Sequence, residues 1–123
     1  MNSARDYIAT IKGLIILHPQ IVQWIVIREE YQGNRGLFRY RLILKDGSFL
    51  EMFELFQMTE LGVKISKYSF HWQSPNGELY KRWDNAAHHK NISTYPYHIH
   101  EGAEDNILPH SPVTAEEILT IIS

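Results

Sequence analysis

Histidines are concentrated in one part of the sequence. Five of the seven lie within residues 85–112, including the adjacent His88 and His89 and the alternating His98 and His100. Side chains two residues apart point the same way on an extended chain, and an imidazole with its ordinary pKa of about 6.5 can accept or donate a proton near neutral pH. We therefore consider these four histidines candidates for general acid and base catalysis.

Two other interpretations of the histidines stay open. They could hydrogen-bond the backbone of a loop that has no sheet ladder to satisfy it, or they could bind a metal ion. The sequence contains no cysteine, so disulfides, thiolate catalysis and thiolate metal sites are excluded. The histidine spacing completes no established metal motif, and we predict no metal and no other cofactor.

Two arginines on one predicted strand are candidate phosphate ligands. Arg39 and Arg41 alternate with apolar residues and should therefore point to one face of that strand. Their planar, permanently charged guanidinium groups suit phosphate or carboxylate. Alternatively, they could pair with Glu51 or Glu29 on neighbouring strands as an exposed cross-strand ion pair.

A second polar group surrounds Arg82. Asp84 is two residues away, and Asn85 follows directly. We predict that Arg82 and Asn85 bind substrate, and that Asp84 orients a histidine or an arginine at the catalytic site. The alternative for Arg82 and Asp84 is a local ion pair with no role in chemistry.

Helices and strands must position these candidate residues. Apolar residues at spacings of three and four predict an amphipathic N-terminal helix that ends at His18 and Pro19. A capping box from Thr114 to Glu117 predicts a short C-terminal helix, whose apolar residues should pack against the sheet. Segments rich in β-branched and aromatic residues predict five strands, at residues 21–31, 37–45, 48–56, 63–73 and 79–84.

The links between these strands are too short for a parallel crossover. They consist of turn-forming residues such as Asp46-Gly47 and Asn76-Gly77. We therefore predict an α+β fold in which an antiparallel meander of about five strands is backed by the two helices. Residues 85–112 follow as a long ordered loop, and its histidines and aromatic residues favour a functional loop over a disordered one.

The turn at Ser74-Pro75-Asn76-Gly77 sets the expected pairing of the last two strands. A type I turn with Gly77 in the left-handed region places Ser74 opposite Glu78. The aromatic residues nearby are interpreted mainly as core. In this register one face carries Tyr68, Phe70, Trp72, Tyr80, Arg82 and Asp84, and the other carries His71, Lys81, Trp83 and Asn85.

The composition indicates one ordinary domain over residues 1–123. Hydrophobic residues make up 44% and charged residues 21%, so the chain should bury a core of its own. The formal charge of -2 argues against a protein that coats nucleic acid indiscriminately. No apolar stretch reaches the roughly 20 residues that span a bilayer, and no secretory signal is evident. We therefore expect a cytoplasmic protein that does not enter the membrane.

A longer string of residues resembles a known family. Its parts are Tyr68-Ser69-Phe70-His71-Trp72, then Gly77, then Arg82-Trp83-Asp84-Asn85-Ala86 with His88-His89, then Ser93-Thr94-Tyr95-Pro96 with His98 and His100. This string resembles the TumE family, the toxins of bacterial and archaeal toxin–antitoxin pairs. Two residues depart from the family pattern, because Ala87 stands in place of a proline and Tyr97 in place of a histidine.

The resemblance implies a toxin that a cognate antitoxin neutralises, but it assigns no catalytic residue. Histidines and arginines together offer a base, an acid and a cation without a metal or a cysteine. We therefore predict a metal-independent endoribonuclease that acts on RNA. One alternative is a non-catalytic toxin whose aromatic and basic sheet surface occupies a protein or nucleic-acid partner. The other is a metal-dependent hydrolase.

Overall fold

The computed structural model describes residues 3–87 and 91–122. A helix, α1 (Ala4–Leu17), precedes the strands, and a second helix, α2 (Ala115–Ile121), follows them. The strands are β1 (Ile21–Gln32), β2 (Arg35–Leu44), β3 (Phe49–Thr59), β4 (Gly62–Gln73), β5 (Leu79–Asp84), β6 (His98–Glu101) and β7 (Ile107–Pro109).

The strands form one sheet in sequential order, and every neighbouring pair is antiparallel. The α+β class and the antiparallel meander are therefore confirmed, but the predicted strand count was wrong. The sheet has seven strands within the described residues, because β6 and β7 lie in the segment predicted as a loop. With four and three residues, they are too short to show an alternating pattern in the sequence. Pro109 is accommodated because β7 is an edge strand.

Both helices cover the same face of the sheet. Helix α1 contacts β1, β2 and β3, and α2 contacts α1 and β3. As predicted, Ile118 and Leu119 of α2 are buried, as is Ile122 at its C-cap, whereas Ile121 is exposed. The buried side chains of the sheet point toward these helices, and the alternate residues point to the opposite face. We call that opposite face the open face.

A buried carboxylate ties the helices to the sheet. Glu54 of β3 is fully buried and accepts hydrogen bonds from Tyr7 Oη of α1, at 2.6 Å, and from Ala115 N of α2, at 2.7 Å. Burial raises the pKa of Glu54 to about 7, although both hydrogen bonds act to lower it. Burial, followed by the charge of Glu54, also raises the pKa of the Tyr7 hydroxyl.

The pairing of β4 with β5 differs from the predicted register by one residue. The turn itself is as expected, because Ser74 N donates to Glu78 O at 2.8 Å and Gly77 has a φ of +86°. A β-bulge follows: Gln73 pairs with Leu79 but Trp72 pairs with Lys81, so Tyr80 is an extra residue.

The bulge reverses the faces predicted for the rest of β5. Arg82 pairs with His71 and Asp84 pairs with Ser69, so both project to the open face. The predicted grouping of Arg82 and Asp84 with Tyr68 and Phe70 was therefore wrong. The aromatic partner of Phe70 is Trp83, which is buried as part of the hydrophobic core.

Candidate functional site

The open face contains a pocket of about 820 Å³. Its lining comes from β2, β3, β4 and β5 and from the residues that follow β5. Four cationic side chains and two carboxylates are among the described lining residues, together with a histidine and two phenylalanines. The charged members are Arg39, Arg41, Lys67, Arg82, Glu51 and Asp84.

Arg39 and Arg41 share one carboxylate. Each guanidinium donates to an oxygen of Glu51 at 2.9 Å, so the predicted pairing across neighbouring strands is confirmed for Glu51. Partial burial acts to raise the pKa of Glu51, but the hydrogen bonds from Arg41 and Arg39 hold it below its ordinary value. The other predicted partner, Glu29, pairs instead with Lys12 at 2.9 Å.

The same arginines lie over aromatic rings of the pocket. Arg39 Cζ is 4.6 Å from the centre of the Phe53 ring, and Arg41 Cζ is 5.7 Å from that of Phe49. Both distances are within the range of a cation–π contact. The pocket therefore combines fixed positive charge with apolar ring surface.

Arg82 of β5 forms ion pairs with Asp84 and Glu104. Its Nε lies 3.2 Å from Asp84 Oδ2, and its Nη1 lies 3.8 Å from Glu104 Oε1. The local ion pair that was the alternative interpretation is thus present. The contact is ionic and not a hydrogen bond, since the buried Nε has no hydrogen-bond partner among the described residues.

Asp84, His98 and His100 form a buried cluster next to this ion pair. The β5–β6 ladder places Asp84 opposite His98 and Arg82 opposite His100. His98 Nε2 is 2.8 Å from Asp84 Oδ1, and His100 Nε2 is 3.6 Å from Asp84 Oδ2. The exposed fractions are 1% for His98, 7% for His100 and 5% for Asp84. Of the three, only Asp84 lines the pocket.

The hydrogen bonds of the two imidazole rings determine how their protons are placed. His98 Nδ1 is 2.9 Å from Pro96 O, and His100 Nδ1 is 2.7 Å from Glu104 O. A carbonyl oxygen can only accept, so Nδ1 of each ring must carry the proton. Each Nε2 then faces the Asp84 carboxylate. At 2.8 Å, His98 Nε2 and Asp84 Oδ1 are close enough that a proton or a metal ion has to lie between them.

The remaining predicted site residues are Asn85, His88 and His89. Asn85 lines the pocket, but its side chain accepts from Tyr68 N and donates to Ser66 O, both at 3.0 Å. Asn85 thus continues the contact of β5 with the backbone of β4 beyond the last paired residues, Ser69 and Asp84. His88 and His89 lie outside the described residues.

His71 and Glu104 are site residues that the sequence analysis missed. His71 lines the pocket beside Arg82, and its Nε2 is 2.9 Å from Gln73 Oε1. Only the β-bulge, which has no sequence signal of its own here, brings it to the face of Arg82. Glu104 lies in the turn between β6 and β7, which the predicted loop concealed.

The chain matches a known protein family over nearly its whole length. The family model described as Toxin TumE matches residues 11–123, nearly the entire sequence. The chain belongs to the TumE family. Its membership identifies it as a toxin of a toxin–antitoxin system, with a cognate antitoxin as partner. Neither a curated protein nor a solved structure matched it.

Tyr97, just before β6, is used for packing in this TumE toxin. The Tyr97 ring stacks on Tyr68, with ring centres 6.4 Å apart and planes 5° from parallel. Tyr97 points to the core side of the chain, whereas His98 and His100 alternate with Ile99 on β6. Neither α1 nor α2 of this TumE chain has the length and apolarity needed to cross a membrane.

Proposed function

We propose that this toxin is a metal-independent endoribonuclease whose RNA substrate binds in the open-face pocket. The observation that carries the proposal is the convergence of Arg39, Arg41 and Arg82 on a pocket that also contains Asp84. The Asp84 carboxylate is held in turn by two histidines. We further propose that the toxin acts in the cytoplasm, where it would meet both RNA and its antitoxin.

The pocket has the features that single-stranded RNA requires. Guanidinium groups bind the phosphate backbone, and the rings of Phe49 and Phe53 offer surfaces on which bases can stack. Stacking on a side chain needs an unpaired base, so the expected substrate is single-stranded. The excess of cationic over acidic lining residues favours a polyanion.

The expected reaction is transfer of the phosphodiester within the RNA. The 2′-oxygen attacks the neighbouring phosphorus and loses its proton to a base, while the bond to the 5′-oxygen breaks and that oxygen gains a proton from an acid. The products are a 2′,3′-cyclic phosphate and a 5′-hydroxyl. No water, metal or oxidant is consumed.

The pocket residues suggest a division of roles. Asp84 reaches the pocket and is our candidate base, with Arg82 beside it to stabilise charge on the phosphorus oxygens. His98 and His100 are buried, so we assign them to positioning Asp84 and exchanging protons with it. His71 is the described imidazole that lines the pocket and is our candidate acid. His88 and His89 stay candidates from the sequence.

A single-turnover assay tests this proposal. Untagged toxin in excess over labelled single-stranded RNA, in the presence of a metal chelator, should produce shortened RNA with 2′,3′-cyclic phosphate ends. DNA of the same sequence is the matched control and should stay intact, because it lacks the attacking 2′-hydroxyl. Intact RNA under conditions in which the folded protein is toxic would overturn the proposal.

The burial of His98 and His100 favours a second candidate function. A non-catalytic toxin could use the same pocket to occupy RNA or a protein, with the histidines serving only to hold β5 and β6 together. Such a toxin would shift the mobility of RNA in a gel and leave it uncleaved. The shift should weaken as salt concentration rises.

A further inference from the structure

Asp84, His98 and His100 bring three potential metal ligands together on β5 and β6. One nitrogen from each histidine and one oxygen from Asp84 all lie within 4.8 Å of one another. We propose that this cluster binds one divalent transition-metal ion of the Zn²⁺ class, and that bound metal inhibits the toxin. The site itself does not depend on the proposed ribonuclease activity, whereas the inhibition does.

The hydrogen bonds of the two rings match those of metal-binding histidines. A ligating imidazole usually donates its other N–H to a carbonyl or carboxylate, which fixes the tautomer and the ring orientation. Both rings do this, His98 to Pro96 O at 2.9 Å and His100 to Glu104 O at 2.7 Å. The Nε2 atoms are thereby directed toward one carboxylate, as a metal site requires.

The separations of the ligand atoms need only small changes to admit a metal ion. Zn–N and Zn–O bonds of about 2.0–2.2 Å in a tetrahedron place neighbouring ligand atoms roughly 3.3–3.5 Å apart. The two Nε2–carboxylate distances are 2.8 Å for His98 and 3.6 Å for His100. The first distance is to Oδ1 and the second to Oδ2, so one ion could contact both oxygens of Asp84 or a single one. The three ligand atoms all lie within 4.8 Å of one another, so each separation needs a change of about 1.5 Å or less to reach that range.

The backbone and the local charge also favour a cation here. Asp84 and His98 are directly paired across the β5–β6 ladder, so two ligands sit on a rigid element. Among the residues that the structure describes, the ion pairs of the cluster involve two carboxylates, those of Asp84 and Glu104, and the guanidinium of Arg82. Imidazole nitrogen with carboxylate oxygen suits Zn²⁺ and its neighbours better than Mg²⁺ or Ca²⁺, which prefer oxygen ligands alone.

A bound metal ion would use the same side-chain atoms as the proposed RNA cleavage. A metal ion held by Asp84 and both histidines occupies the carboxylate and the Nε2 atoms that the metal-independent reaction needs. The buried ligands would release the ion slowly. Zinc should therefore inhibit cleavage, and a chelator should restore it.

Calorimetric titration of chelator-treated, untagged full-length protein with ZnCl₂ tests the site. We expect one ion per chain, and an affinity reduced at least about 100-fold in Asp84→Asn, His98→Gln and His100→Gln. His110→Gln is the matched control, because His110 lies outside the cluster, and it should bind zinc like the wild type. Circular dichroism checks that each variant is folded.

A second measurement uses only the wild-type protein. Co²⁺ in place of Zn²⁺ should give the visible absorption of a four-coordinate site, and X-ray absorption should identify two imidazole ligands. Absence of stoichiometric binding, or binding that survives in all three cluster variants, overturns the site. If RNA cleavage instead requires added zinc, the site stands and the metal-independent mechanism fails.

Discussion

At the scale of single residues, the sequence identified most of the polar groups but not their neighbours. Alternation alone predicted that Arg39 and Arg41 share one face of a strand. The two-residue spacing of His98 and His100 predicted that both imidazoles point the same way. The meeting of His98 and His100 with Asp84 depends on the pairing of β5 with β6. That pairing joins Asp84 to His98 and Arg82 to His100, residues 14 and 18 positions apart, and local spacing does not encode it.

Arg82→Lys tests whether the guanidinium fork matters for the reaction. Lysine keeps the charge but loses the paired N–H groups that bind phosphate, so we expect single-turnover RNA cleavage to fall at least about tenfold. The melting temperature should change little, because the ion pair is partly exposed. Arg28→Lys, on an exposed arginine of β1, is the control, and equal activity in both variants would contradict the role of Arg82.

Glu54→Gln tests the buried carboxylate by its effect on stability. The pKa of Glu54 is about 7 in the folded protein against 4.5 for an exposed glutamate, so the folded state binds the proton more tightly between these pH values. Its contribution to stability is complete below about pH 4.5 and is lost as the pH rises through 7, by about 3 kcal/mol.

Denaturant unfolding of both proteins over this pH range measures the effect. Glutamine does not titrate, and its amide can still accept from Ala115 N and donate to Tyr7 Oη. The variant should therefore lose the fall in stability between about pH 5 and pH 7. Glu60→Gln, in an exposed turn, is the control. A wild-type slope retained in Glu54→Gln would show that another group causes it.

At the scale of elements, long strands and capped helices were predictable, whereas short pieces were not. The β-branched and aromatic runs marked β1 to β5, and the capping box marked α2. Strand β6 pairs with the edge of β5, and β7 then pairs with β6. Both strands therefore depend on tertiary pairing, which their short sequences do not reveal. The bulge at Tyr80 shifted the predicted faces of β5 for the same reason: pairing, not pattern, sets the register.

Helix α2 should contribute strongly to stability through one residue. The side chain of Ile118, on α2, is fully buried. Ile118→Ala removes its apolar contacts and should therefore lower the free energy of unfolding by about 2–5 kcal/mol. Ile121→Ala is the matched control on the same helix, since Ile121 is 46% exposed, and should cost less than about 1 kcal/mol. Equal losses in denaturant unfolding would mean that α2 does not pack as described.

At the scale of the whole molecule, family membership makes a prediction that no single contact makes. Expression of this chain alone should stop growth, and co-expression of its genetic neighbour, the expected antitoxin, should restore it. Colony counts under induction measure both. The chain carrying Ile118→Ala is a useful comparison, because loss of toxicity there would follow from loss of the folded protein. Normal growth with abundant folded wild-type chain would contradict the toxin function.

The sequential order of the sheet also has a consequence for how the chain folds during synthesis. Ribosomes release the N-terminal part first, and β1 to β4 can pair as successive hairpins through local contacts. Asp84 meets His98 and His100 only when β6 has emerged. Glu54 gains its contact with Ala115, which lies 61 residues further along the chain, later still. A nascent chain is thus partly folded well before its candidate site exists. An antitoxin made alongside it has that interval in which to bind.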